Sequence, residues 1–171
     1  MIRNIGLCFL TIVLPLASPA QGGKDILRLV ADTVKDEYGY KNARGAMIIP
    51  MGKYLICYTE RFDRCAIVTS AEEGIIGIDR NEHILFHVFA VDNGPDPASE
   101  GLFRIVRDGK IGFADTAGQI VIQPQYDGGF PFHDGLAKVG SGCKTQSDGE
   151  HSWWTGGTWF TIDRKGNLVK P

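Results

Sequence analysis

Two stretches of this chain, "EGLFRI" (100–105) and "DGLAKV" (134–139), write the same phrase 34 residues apart. Each has an acid, then Gly-Leu, then alternating residues with a base in the middle. Ahead of them stand "IGID" (76–79) and "IGFAD" (111–115), with Ile76 and Ile111 separated by 35 residues. A fixed period of this size marks stacked supersecondary units, each too poor in apolar surface to fold alone. The phrase then has a mechanical sense. The acid-Gly pair turns a corner, Leu102 or Leu136 anchors in the core, and alternation places Arg104 or Lys138 outside.

The units are β. Short β-branched and aromatic runs, "KYLICYT" (53–59), "CAIVTS" (65–70), "HILFHVFAV" (83–91), "GLFRIVR" (101–107), "GQIVIQ" (118–123) and "TWFTID" (158–163), alternate with turn chemistry. Asp108-Gly109 suits a two-residue hairpin; "DTAG" (115–118) and "DRKG" (163–166) suit longer ones. With 22 glycines and 8 prolines in 171 residues, the composition fits frequent turns better than a helical bundle. One segment reads otherwise. In "DILRLVADTVKDEY" (25–38), Ile26, Val30, Val34 and Tyr38 recur every four residues, which predicts an amphipathic helix ended by Gly39. The expected fold is therefore mainly β, an array of β-hairpin repeats over 74–171. An N-terminal region, 21–73, supplies the helix and a β-hairpin.

The second unit resembles the WG-repeat family, whose repeat runs Lys-Trp-Gly-aromatic-Ile-Asp, then Gly, Val-Ile-x-Pro, Tyr-Asp and Phe-x-acid-Gly-Leu-Ala-x-Val. Lys110, Gly112, Phe113, Asp115, Gly118, Val121, Ile122, Pro124, Tyr126, Asp127, Phe132, Asp134, Gly135, Leu136, Ala137 and Val139 all fall in place. The third unit supplies Trp159, Ile162, Asp163, Gly166 and Val169, with Phe160 where the glycine belongs. The first keeps Ile76-Gly77-Ile78-Asp79 and Glu100-Gly101-Leu102, but replaces the Pro-x-Tyr-Asp stretch with "FAVDNGPDPA" (89–98). Ile76 and Ile111 stand for the family's tryptophan. The resemblance implies a β-rich repeat used for interaction, often in exported bacterial proteins, and no catalytic mechanism.

Residues 1–20 read as a secretory signal peptide: Arg3, the apolar run 5–17, and small residues before a cleavage point after Ala20. The run is too short for a membrane span, which needs about 20 apolar residues. The expected location is periplasmic or extracellular, with no span in the mature chain. Loss of Arg3 leaves 17 of 18 bases against 20 acids, a net charge of −3. That sign is wrong for binding nucleic acid. Of the three remaining cysteines, Cys57 and Cys65 flank a short segment and form the expected disulfide in an oxidising compartment; the competing reading makes all three small buried hydrophobes.

Chemistry is harder to find. His133-Asp134 looks like a base with its carboxylate, but neighbours on a strand point to opposite faces. Asp92, Asn93, Asp96 and Glu100 offer oxygens to calcium in no EF-hand spacing. His83 and His87 on a strand stand about 13 Å apart, too far for one ion. No metal site and no cofactor is expected. The expected function is an exported, non-enzymatic binding module for an unknown protein or glycan. Its site lies in the insertion 140–157, at Glu150, His151, Trp153 and Trp154, because insertions in arrays form loops on one, often binding, face. The alternative is an exported enzyme or enzyme inhibitor with its site in 40–73 and 140–158.

Overall fold

The computed structural model describes residues 25–92 and 94–170. The signal peptide expected at 1–20, and Asn93, lie outside them. The described residues open with β1 (Leu27–Asp32), β2 (Glu37–Lys41), β3 (Met47–Tyr54), β4 (Ile56–Cys57), β5 (Arg61–Phe62) and β6 (Ala66–Ser70). They continue through β7 (Gly74–Ile78), β8 (Ile84–Val88), β9 (Ala90–Val91), β10 (Gly94–Pro95), β11 (Leu102–Arg107), β12 (Lys110–Asp115) and β13 (Ile120–Tyr126). The last strands are β14 (Gly128–Gly129), β15 (Leu136–Ser141), β16 (Lys144–Ser147), β17 (Ser152–Thr155), β18 (Thr158–Asp163) and β19 (Leu168–Val169). A seven-stranded antiparallel sheet, β13-β12-β11-β8-β7-β6-β4, is flanked by two four-stranded ones, β3-β2-β1-β5 and β14-β15-β18-β19. The mainly β expectation holds.

The helix expected at 25–38 is corrected: this segment is strand β1, a turn, and the start of β2. The two strands pair with Leu29 opposite Tyr40 and Val30 opposite Gly39. The four-residue stripe is not the buried one, since Val34 is 94 % exposed and Ile26 40 %. Pairs two apart do the burying. Leu27 and Tyr40 are fully inside, with Leu29 and Tyr38 packed against them, and the Tyr40 and Phe62 rings meet edge-on at 5.0 Å. Asp32 stops the strand by accepting the N–H groups of Val34 (3.0 Å) and Lys35 (3.2 Å) on one carboxylate oxygen, a local bond that competes with helix.

This hairpin is itself a repeat unit. At Asp79, Asp115 and Asp163 the chain makes one and the same turn. The carboxylate accepts the N–H groups two and four residues on, at 2.7–3.0 Å, and the residue three on lies in the left-handed region. Asn42 makes this turn too, accepting from Arg44 and Ala46 at 3.0 Å, with Gly45 at φ 83°. The described chain thus holds a three-stranded meander four times: β1-β2-β3, β6-β7-β8, β11-β12-β13 and β15-β18-β19. Tyr38-Gly39-Tyr40 stands where Ile111-Gly112-Phe113 stands. Both glycines lie beneath an irregularity of the next strand, between Ile49 and Tyr54 or between Ile122 and Tyr126. In the last meander β19 pairs only with Thr161 and Ile162 and never crosses Phe160, so no glycine is needed there.

The core obeys the logic of a repeat. One cluster joins the first meander to the second, from Leu27, Tyr40 and Ile49 to Val68, Ile76 and Ile78. Another joins the third to the fourth, through Leu102, Phe113, Ile122, Val139 and Ile162. A smaller one lies between β8, β11 and β12, around Phe86, Phe103 and Ile105. No meander closes its own core. The corner turns also touch: the Glu100 carboxylate accepts the Gly135 N–H at 3.0 Å, and the Ser99 hydroxyl donates to the Phe132 carbonyl at 2.6 Å.

The expected Cys57–Cys65 disulfide is not formed. Cys57, Cys65 and Cys143 are buried free thiols. Cys57 packs in the Tyr40 cluster and Cys65 in the Phe86 cluster, so the two point into different layers. Burial pushes the Cys65 thiol up to about 12, and raises Cys57 as well. Burial likewise takes Tyr54 to about 12 and lifts Tyr40 and Tyr126. Each of these groups keeps its proton longer folded than unfolded. The folded state then binds more protons at alkaline pH, and stability falls as pH rises. The expected urea midpoint is level through neutrality. It then drops from about pH 9, the ordinary thiol range, to about pH 12, with a smaller drop in Cys65→Ala. A midpoint unchanged up to pH 11 contradicts this.

Candidate functional site

In three of the meanders the first two strands are joined by a short turn. Arg107 pairs with Lys110, leaving residues 108–109; Ser70 pairs with Gly74, leaving 71–73; Asp32 pairs with Glu37, leaving 33–36. In the fourth, Ser141 pairs with Thr158, leaving 142–157. The insertion therefore replaces a tight turn. It is an ordered hairpin, β16 on β17, with Thr145 opposite Trp154 and Gln146 opposite Trp153. Its tip is tied by Asp148, which accepts the N–H groups of His151 (2.7 Å) and Glu150 (3.0 Å), and these bonds hold the carboxyl below its usual range. Its root is tied by Asp127, which accepts the Gly142 N–H at 2.6 Å and pairs with Lys110. Lys110, then Gly142, lower the Asp127 carboxyl.

Alternation sends the two tryptophans to opposite faces of the hairpin. Trp154 turns inward, its ring 5.4 Å from Phe130, 6.0 Å from Phe89 and 6.1 Å from Trp159. Such ring separations are those of attractive aromatic pairs. Two glycines let them close up: a Cβ on Gly128 would meet Trp159 at 2.8 Å, and one on Gly140 would meet the Cys143 sulfur at 2.9 Å. Trp153 stays 44 % exposed.

Opposite the hairpin lies the other departure from the repeat, 89–98. Its described residues, 89–92 and 94–98, hold the small β9-β10 pair and wrap Arg104. Here the expectation that Arg104 points outside is corrected: the residue is 7 % exposed. Its Nε and Nη2 donate to the two oxygens of Asp96 at 3.0 and 2.5 Å, and Nη1 donates to the Gly129 carbonyl at 3.0 Å. Its guanidinium lies 4.2 Å from the Phe89 ring centroid. Asp96 is thereby committed to Arg104 rather than free for a metal. Lys138, the matching residue of the next unit, is exposed as expected, its ammonium 5.5 Å from the Trp159 ring.

Between the two departures is a cavity of about 500 Å³. Glu150, His151, Trp153 and Trp154, the four residues singled out from the sequence, all line it, facing Phe89, Asp92, Arg104 and Phe130. Sequence reasoning did not bring Phe89, Arg104 or Phe130 to this candidate site, and weighed Asp92 only as an oxygen donor for calcium. The signal was present: 89–98 is where the first unit leaves the family pattern.

A second cavity, about 590 Å³, runs between Phe62, Cys65, Ile67, Val88 and Phe103, within reach of the 40–73 region. With its thiol raised by burial, Cys65 stays protonated at neutral pH and is a poor nucleophile. His133 and Asp134 do pair, at 3.0 Å, contrary to the alternation argument, because Asp134 sits at φ 53° in the corner turn rather than in a strand. Both are 88 % exposed at the side chain. His83 contacts Asp79 (2.9 Å) and His87 contacts Glu73 (3.0 Å), so each has its own carboxylate. Among the described residues no group of three or more His, Cys, Asp or Glu side chains is placed to hold a metal ion, and no helix is long and apolar enough to cross a membrane.

Four copies of one meander, sharing cores between neighbours, define a β-repeat protein. The family model of the WG containing repeat matches residues 111–141, which span β12 to β15, and this match supports assignment of the chain to the WG-repeat family. Comparison with curated proteins and with solved structures gives no match.

Proposed function

We propose that this protein is an exported, non-enzymatic binding module, with its site in the cavity between the 142–157 hairpin and the 89–98 segment. The observation behind this reading is the convergence of the array's two irregular segments on one aromatic-lined hollow. Two residues suffice to join the matching strands at Asp108-Gly109, so the sixteen-residue detour does more than close a turn. The signal-like residues 1–20 support export, and the repeat scaffold supplies a rigid frame for loops that bind. Trp153 is the contact residue of choice: a large apolar plate at the rim, held by the hairpin, and not needed by the core.

The test starts from the full chain expressed in a cell with an export pathway, where mass analysis should find Gln21 at the N-terminus. The recovered protein is then titrated with a panel of methyl pyranosides, short peptides and small organic ions while the indole N–H signals are followed. At least one class should shift the Trp153 signal. Trp153→Ala should abolish binding and move the unfolding midpoint by less than about 2 °C, as a surface substitution does. If every shift maps to the Phe62–Cys65 cavity, or if Trp153→Ala leaves binding intact, the reading is wrong.

A further inference from the structure

We infer that the cavity beneath the hairpin receives a small organic cation with a methylated ammonium head, an inference that rests on this cavity being the binding site. Phe89, Trp154, Phe130 and Trp159 form a chain of ring contacts. Both outer members of the chain already hold a cation of the protein itself: Arg104 lies 4.2 Å from Phe89, and Lys138 lies 5.5 Å from Trp159. The ring faces of this cluster are thus used for cations at both ends. Among the described residues no cation stands over Phe130, Trp153 or Trp154, three of the aromatic residues that line the cavity.

The charge of the lining has the complementary sign. Arg104 is the one guanidinium there, and Asp96 cancels it through two hydrogen bonds. Asp92 and Glu150 remain. Neither carboxylate has an ion pair among the described residues, so two negative charges face the hollow. The His151 ring is turned to Asp148, at 3.7 Å.

The type of cation follows from the walls. A primary ammonium is compact and strongly hydrated, and needs three acceptors to replace its water. Ring faces do not supply them, and Asp92 and Glu150 are exposed at the rim. A methylated ammonium spreads its charge over apolar surface and gives up little hydration. Aromatic faces with distant carboxylates are the surroundings it favours. A volume of about 500 Å³ leaves room for more of the ligand than the head alone.

Choline separates charge from shape, because 3,3-dimethylbutan-1-ol is its uncharged carbon isostere. Titrated into the intact protein and followed at the Trp153 indole, choline should bind at least tenfold more tightly than the isostere, and binding should weaken as salt is raised. Glu150→Gln, on the exposed hairpin tip where the fold does not depend on the carboxylate, should weaken choline about three- to tenfold and leave the isostere unchanged. Equal binding of the two compounds overturns the inference. So does binding of methyl glucoside in place of choline, which would leave the cavity as the site but change its ligand class. If no compound of the panel shifts Trp153, both the site and the cation fall.

Discussion

Replacing Gly112 by alanine should cost the fold about 3 kcal/mol or more, and lower the unfolding midpoint by roughly 6–12 °C. A Cβ there would lie 2.4 Å from the Ile122 carbonyl oxygen and 2.5 Å from the Pro124 nitrogen. Both are backbone atoms of β13, so no rotamer change relieves the contact. The strand must lift, and with it Ile122 and Tyr126 leave the cluster they share with Phe113 and Val139. Gly39 repeats the situation more mildly, 2.8 Å from the Ile49 oxygen. Gly77 differs in kind: its nearest neighbours, from 2.3 Å, are ring atoms of Phe86, which can turn aside. The expected order of loss in urea denaturation is Gly112→Ala, then Gly39→Ala, then Gly77→Ala. Gly94→Ala, with nothing within 4 Å, serves as the near-neutral control. A Gly112→Ala loss below about 1 kcal/mol would show that the strand above it is not fixed.

The glycines also show why part of the fold was legible and part was not. "IGFAD" announced its unit because glycine, aromatic and Asp each have one mechanical role there, and the match to the family's pattern is dense. "YGYKN" has the same roles with Lys41 for Ala114 and Asn42 for Asp115. Asn makes the same turn, since the turn needs only a side-chain oxygen acceptor. What hid this unit was its first strand. "LRLVAD" satisfies a four-residue and a two-residue period at once, and a run of six cannot decide between them. Only the pairing of Leu29 with Tyr40 does. The cysteine pair failed for a related reason. Proximity along the chain says nothing about which layer each side chain enters, and Cys57 in β4 and Cys65 just ahead of β6 enter different clusters. That Glu150, His151, Trp153 and Trp154 leave the array together was legible because the insertion breaks a period. Their partners Phe89, Asp92 and Phe130 come from elsewhere in the chain, and no spacing rule brings them together. Arg104 was misplaced by a sound rule, alternation, because the rule does not know that 89–98 folds over that face of the strand and brings a carboxylate with it.

That carboxylate sets up the last expected result. Asp96→Ala should be among the most damaging single changes in the chain, about 3–5 kcal/mol, because it leaves the Arg104 guanidinium buried without its counter-charge. The Asp96 side chain is 1 % exposed and that of Arg104 8 %, so water cannot take over the lost bonds. Asp96 also accepts the Arg104 backbone N–H at 2.8 Å, which adds an orphaned donor to the loss. Arg104→Met should cost less than Asp96→Ala, since the thioether chain keeps part of the packing on Phe89. The double variant Asp96→Ala/Arg104→Met removes both charges and should recover at least 1 kcal/mol relative to the sum of the single losses. Calorimetry or urea denaturation of the four proteins closes the cycle. A zero coupling would mean that the two groups are solvated separately. The double variant has a second use. It strips the cation from Phe89 while leaving Trp153 and Glu150 in place, so a cavity that binds methylated ammonium should then bind it no less tightly than before. A loss of choline binding in a double variant that still folds would mean that the Arg104–Asp96 pair shapes the hollow, which Arg104 lines.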